Sequence, residues 1–131
     1  MPKYQFSCSA SPHYQPEQSR PEDGMYSFAY TVTVTNSGEV AAQLIARHWV
    51  ISDANGHQET VKGLGVVGLQ PLLKPGESFQ YSSSTRLRTP SGTMHGSYLC
   101  VAEDTEPFDA AIALFVLEAT DDNGPPRRVL H

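Results

Sequence analysis

Tyr26-Ser27-Phe28-Ala29-Tyr30-Thr31-Val32-Thr33-Val34-Thr35 settles into a strict alternation. Phe28, Tyr30, Val32 and Val34 fall on one side, and Thr31, Thr33 and Thr35 on the other. Successive side chains of a strand point to opposite faces, so a period of two predicts a strand with one face in a core and one toward water. The β-branched and aromatic composition suits a pleated surface.

Segments of the same kind recur outward from this one. Residues 4–11 alternate aromatic and polar side chains. Residues 43–52 are apolar on both faces, which predicts a central strand or one covered on both sides. Asn55-Gly56 signals a hairpin whose two turn positions tolerate positive φ, folding residues 57–61 back beside the strand of Trp49. Lys74-Pro75-Gly76-Glu77 fits a type II turn, with Pro fixing φ at one centre and Gly supplying positive φ at the next. Residues 78–84, 94–102 and 108–118 bring the count to about seven strands, the last two joined by the acidic loop Glu103-Asp104-Thr105-Glu106-Pro107. Residues 13–23 read as a loop, and the chain from about residue 120 as an irregular tail. No amphipathic helix competes. The expectation is an all-β chain, an antiparallel β-sandwich forming one domain over residues 1–131.

The 131 residues carry 9 Lys and Arg against 14 Asp and Glu, a net charge of -5. Nucleic-acid affinity comes largely from basic side chains, so no nucleic-acid partner is expected. No apolar run reaches membrane-spanning length, and Met1-Pro2-Lys3-Tyr4-Gln5-Phe6-Ser7-Cys8 lacks the apolar centre of a signal peptide. The expectation is a cytoplasmic protein without membrane insertion. Cys8 and Cys100 define no disulfide framework and are expected to be reduced.

Gly96-Ser97-Tyr98-Leu99-Cys100 narrows the fold class. It sets Tyr two residues before Cys in a late strand, the spacing of a tyrosine corner in immunoglobulin and fibronectin III-like sandwiches. Trp49 sits mid-chain, where such folds keep a core Trp. Cys8 lies too far before Trp49 to be the first cysteine of an antibody-type domain, so the sandwich is expected to lack the inter-sheet disulfide.

Lys62-Gly63-Leu64-Gly65-Val66-Val67-Gly68-Leu69-Gln70-Pro71 contains G-x-G-x-x-G. In a dinucleotide-binding unit those glycines lead into a helix whose N-terminus receives a pyrophosphate. Here Pro71 and Pro75-Gly76 leave no room for that helix. No lysine lies inside the loop, and no Ser or Thr stands beside it to hold Mg²⁺. Gly63, Gly65, Val66, Val67 and Gly68 are therefore read as a loop that binds a partner or an anion. Its apolar side chains would be held out toward a protein's hydrophobic pocket, and its backbone amides leave weak phosphate binding open. A phosphate- or nucleotide-binding protein is the alternative reading.

Taken in order, several segments resemble the ApaG family. They are residues 26–34, Arg47-His48-Trp49-Val50-Ile51-Ser52-Asp53-Ala54-Asn55-Gly56, the glycine-rich stretch 63–71, Leu73-Lys74-Pro75-Gly76-Glu77-Ser78-Phe79-Gln80-Tyr81 and Pro90-Ser91-Gly92-Thr93-Met94-His95-Gly96-Ser97-Tyr98. The strand at 108–117 and the terminal Leu130-His131 continue the match. The resemblance implies a small fibronectin III-like bacterial domain associated with cobalt resistance and magnesium efflux. It also implies a protein-binding role, since eukaryotic relatives carry a similar domain in F-box proteins and in a polymerase delta-interacting protein. It supplies no catalytic residues, and only Gly63, Gly65 and Gly68 carry over, as a proposed anion or partner loop.

The remaining candidates rest on chemistry. His13, His48, His57, His95 and His131 form no H-x-H or H-x-x-x-H pair, so no metal ligands are fixed by local spacing. His57 and Asp53 flank the Asn55-Gly56 turn and are the weak candidates for a surface divalent-cation site. His48 projects opposite Trp49 and reads as a hydrogen-bonded strand residue. No G-x-S-x-G, P-loop or H-E-x-x-H occurs, and His95 and Cys100 fall on opposite faces of one strand. The expectation is a non-enzymatic module without a cofactor, acting on an unidentified protein partner; pairing of two copies as a homodimer is left open.

Overall fold

The computed structural model describes residues 2–120. The tail expected from about residue 120 and the Leu130-His131 part of the resemblance lie outside the described residues from 121 onward. The strands are β1 (Phe6–Tyr14), β2 (Tyr26–Asn36), β3 (Ala42–Asp53), β4 (Gln58–Leu64), β5 (Leu72–Leu73), β6 (Ser78–Leu87), β7 (Ser91–Ala102) and β8 (Pro107–Glu118). One sheet has the order β1-β2-β6 and the other β4-β3-β7-β8, with the two-residue β5 also paired to β3. Every pairing is antiparallel. The all-β sandwich is as expected, with β5 added to the seven strands read from the pattern.

The alternation in β2 does what its period requires. Phe28, Tyr30, Val32 and Val34 are buried between the sheets. They meet Trp49, Met94, Tyr98, Cys100, Ile112 and Leu117 of the facing sheet in one core. Trp49 is 2% exposed and makes edge-on contacts with Tyr30, Tyr98 and Phe115. Such aromatic geometry adds to the burial itself. On the outer face of the smaller sheet, hydroxyls hydrogen-bond across strands, Thr31 to Ser82 at 2.8 Å and Thr35 to Ser78 at 2.7 Å. That surface is well matched to water.

Three local expectations need correction. Residues 13 and 14 belong to β1, and the loop proper holds two 3-10 turns, Pro16–Gln18 and Pro21–Asp23, each opened by a proline whose φ suits it. The Asn55-Gly56 hairpin is not a two-residue turn with positive φ twice. Gly56 has φ +86, whereas Asn55 is outside the positive region. The Gly56 amide donates to the Asp53 carbonyl at 3.2 Å and the Asp53 amide to the His57 carbonyl at 2.9 Å. This is a three-residue loop closed by a left-handed glycine. Finally, Tyr98 makes no corner with nearby backbone. It lies midway along β7, and its hydroxyl hydrogen-bonds the hydroxyl of Tyr81 across the sandwich. By contrast, Lys74-Pro75-Gly76-Glu77 forms the expected turn, with Gly76 at φ +87 and the Glu77 amide on the Lys74 carbonyl at 2.9 Å.

Candidate functional site: the glycine hairpin and the Arg47 cavity

A bulge in β3 determines what stands beside the glycine-rich stretch. The register against β7 shifts between Leu44 and Ala46, so β3 carries one extra residue, Ile45. An extra residue reverses which side chains face inward. Ala42 and Leu44 are buried before it, Trp49 and Ile51 after it. Arg47 thereby joins the face of Trp49 and points its stem toward the core edge.

The segment 65–70 leaves the sheet at the level of the bulge. β4 pairs with residues 46–52 of β3, and β5 resumes on the same edge at Ala42 and Gln43. Between them, the Gly65 amide donates to the Ile45 carbonyl at 2.7 Å, and the Gln70 side-chain amide donates to the same carbonyl at 2.9 Å. Val66 and Leu69 then exchange both backbone hydrogen bonds, at 2.8 and 2.9 Å. The two residues between them, Val67 and Gly68, both have positive φ, +43 and +82. This is a type I′ turn with a β-branched residue at its first centre, where side chains are strained.

Each glycine has its own reason. A Cβ on Gly63 would lie 2.7 Å from Nη2 of Arg47, and one on Gly65 would lie 2.4 Å from the Leu69 carbonyl oxygen. Gly68 has open space and is there for its φ. Gly63 itself lies in β4, opposite Arg47. Arg47 Nη1 donates to the carbonyls of Leu64 and Gly65, each at 3.0 Å, and so clamps the base of the hairpin.

Of the expected loop residues, Val67 is 56% exposed, but Val66 is fully buried. The expectation that Val66 is held out toward a partner is thus corrected: the hairpin folds its side chain into the core, where it helps seal the gap between the sheets. The amides of Gly65, Val66 and Leu69 are all spent inside the protein. At the tip, the amides of Val67 and Gly68 have no partner among the described residues.

Beneath the tip lies a cavity of about 190 Å³ lined by Tyr30, Arg47, Trp49, Val66, Val67, Gly68, Tyr81 and Ser83. Burial pushes the Tyr81 phenol up to about 12, partly offset by its bond to Tyr98 and by the Arg47 charge. Burial raises Tyr30 as well, with Ser83 and Arg47 opposing. Both hydroxyls stay neutral and can donate or accept at neutral pH.

A second surface lies on the outer face of the larger sheet. Register sets Leu64, Ala46 and Leu99 side by side, followed by Asp109 on β8. With His48, Lys62 and Ser97 they line an open groove of about 560 Å³. His48 sits there, opposite Trp49, as expected.

Asp53 and His57 do approach each other, though through backbone. Asp53 Oδ1 accepts the amides of Asn55 and His57 at 2.9 and 3.0 Å, closing the hairpin. Their cavity also contains Glu59, Arg86 and Arg88. Among the described residues no group of three or more His, Cys, Asp or Glu could hold a metal ion. Cys8 and Cys100 are free thiols, pushed by burial up to about 11 and about 12. Neither forms a reactive thiolate at neutral pH. No helix of the described residues is long and apolar enough to cross a membrane.

Arg47 is the site residue that the sequence did not single out. Simple alternation records it as a polar residue two before Trp49; only the bulge and the clamp give it a role.

Comparison with known proteins agrees with this architecture. A family model described as the ApaG domain matches residues 16–102. The chain is 66% identical to Protein ApaG of Acidovorax sp. (strain JS42), with 100% of both chains covered. It is 59% identical to Protein ApaG of Thiobacillus denitrificans, covering 88% of this chain and 91% of that one. The crystal structure of an ApaA protein from Bordetella pertussis superposes with a TM-score of 0.89 at 49% identity, covering 93% of this chain and 99% of that one.

Proposed function

The chain belongs to the ApaG domain family, and from that premise we propose that it is a non-enzymatic, cytoplasmic protein-interaction module serving divalent-cation homeostasis, in cobalt resistance and magnesium efflux. One observation carries the interaction reading: large apolar side chains are exposed together around the glycine hairpin. Leu64 is 74% exposed, Leu72 61%, Val67 56% and Leu69 52%. Leu99 adjoins Leu64 through Ala46 on the same sheet face. The hydroxyl ladders on the opposite sheet set the contrast within one molecule. Apolar surface gathered in one place marks contact with a partner. The cation link is assigned to that partner, because among the described residues no group of three or more His, Cys, Asp or Glu could hold an ion.

The test is affinity capture from the native cell with the wild type, Val67→Ser and Leu64→Ser. Val66 is left intact, since it belongs to the core. Loss of the same co-purifying protein from both variants, with unchanged circular dichroism, is expected. Undiminished capture by both would sink the reading.

The alternative of a phosphate or nucleotide site draws on fewer groups. It has the amides of Val67 and Gly68, with Arg47 beside the same cavity, and no lysine or Mg²⁺-binding hydroxyl at the tip. Titration calorimetry with ATP and GTP, with and without Mg²⁺, is expected to give at best millimolar affinity and no turnover. Micromolar binding lost in Gly68→Val would favour the alternative.

A further inference from the structure

We propose that the cavity under the glycine hairpin is a carboxylate-binding site with Arg47 as its anchor. A guanidinium has five N–H donors in a planar fork. Arg47 uses Nη1 on the carbonyls of Leu64 and Gly65, which leaves Nε and Nη2 free. No buried side-chain nitrogen or oxygen of the described residues lacks a hydrogen-bond partner, so those free donors are open to solvent. Among the described residues Asp104 pairs with Lys3 at 3.5 Å, and no acid lines the Arg47 cavity. The edge formed by Nε and Nη2 is the edge that takes a carboxylate through two parallel hydrogen bonds.

The surroundings select the kind of anion. Tyr30, Tyr81 and Ser83 supply hydroxyls, and Trp49, Val66 and Val67 supply apolar wall. One free cation among aromatic rings matches a single planar negative charge attached to an apolar body. A phosphate would call for more donors than one guanidinium edge, and of the hairpin amides those of Gly65, Val66 and Leu69 are already spent on Ile45, Leu69 and Val66. About 190 Å³ admits one side chain or a small acid. The geometry of the site is fixed in advance: Gly63 lets the guanidinium lie against the backbone, and the two carbonyls stop it rotating. Such preorganisation keeps the ordering cost of binding low.

The carboxylate can be carried by a partner's chain or by a free small acid, and the site stands whether or not the apolar surface binds a protein. Nuclear magnetic resonance on the uniformly ¹⁵N-labelled full chain tests it, following the Arg47 Nε–H and Trp49 indole N–H signals. The probes are benzoate, inorganic phosphate, and an apolar tripeptide with a free or an amidated C-terminus. Benzoate or the free-acid peptide should shift both signals saturably, and whichever binds more tightly identifies the source. The amidated peptide should not. Arg47→Lys should weaken binding by about tenfold or more, since an ammonium cannot offer the planar fork. Because that variant also disturbs the clamp, Ser83→Asp serves as the second: it leaves Nη1 and the hairpin untouched and places a carboxylate of the protein's own at the cavity wall. It should abolish the response and raise the melting temperature. No saturable shift with either acid, a stronger response to phosphate, or full binding in Ser83→Asp would each overturn the proposal.

Discussion

The guanidinium of Arg47 occupies the space that a side chain on Gly63 would need. The two residues are direct partners across β3 and β4, and a Cβ on Gly63 would meet Nη1, Nη2 and the central carbon at 2.7–2.8 Å. The first glycine of the motif is therefore a slot for an arginine. The other two shape the hairpin that the arginine holds by its carbonyls.

A graded response to alanine follows from these three environments. Gly65→Ala should cost most, about 3 kcal/mol, because its Cβ would collide with backbone at 2.4 Å and its φ is +64. Gly63→Ala meets the far end of a side chain, which can move, so about 1–2 kcal/mol is expected, together with a loosened hairpin. Gly68→Ala has no contact to relieve and should lose only about 1 kcal/mol for its positive φ. Urea unfolding gives the ranking. Equal losses at all three positions would refute the separate roles.

Val67 offers the opposite experiment. It holds φ +43 at an exposed turn tip, a conformation that Asn tolerates far better than a β-branched residue. Val67→Asn should stabilise the fold by about 1 kcal/mol. It should also weaken partner capture, since an apolar side chain that is 56% exposed would be lost from the surface. A gain in thermal stability with capture unchanged would confine Val67 to the turn and remove it from the interface.

The sandwich was legible because β2 announces itself by alternation, β3 by a run apolar on both faces, and the strands between them and after them by turn residues. Trp49 and Tyr98 were placed in the core by their positions in such a sandwich, and both are buried, although Tyr98 makes no corner. What alternation cannot carry is a bulge. The extra residue at Ile45 turns Arg47 from the solvent side to the core side, and nothing in the residues around it signals the change. Val66 failed for a related reason: a short run of apolar residues in a loop looks the same whether it faces out or folds back. The contact that decides the matter, Val66 with Leu69, requires positive φ at Val67, which propensity argues against.

The buried hydroxyl pair of Tyr81 and Tyr98 permits an asymmetric prediction. Tyr98 is fully buried, whereas Tyr81 also lines the cavity, where water can reach it. Tyr81→Phe strands the Tyr98 hydroxyl and should cost about 2–3 kcal/mol. Tyr98→Phe leaves the Tyr81 hydroxyl a route to water and should cost about 1 kcal/mol. In the double Phe variant the loss should be smaller than the sum of the two, as for any bonded pair removed together. Additive losses would mean that the two hydroxyls do not depend on each other.

Alkaline pH should unfold the domain through the groups its core keeps neutral. Burial raises Cys8 from 9.0 to about 11, Cys100 from 9.0 to about 12 and Tyr81 from 10.0 to about 12. Each is an acid whose charged form the folded state disfavours. In the unfolded chain the thiols lose their protons near pH 9, while the folded protein still holds them. The unfolded state then binds fewer protons, and stability falls as pH rises. The contribution is complete below about pH 9 and is lost progressively toward pH 12. Urea midpoints measured from pH 7 to 11 should be level at first and then drop. Cys8→Ser combined with Cys100→Ala should flatten the drop between pH 9 and 10, leaving the tyrosine part above pH 10. An unchanged slope in that double variant would show that the thiols titrate alike in both states and are not held in the core.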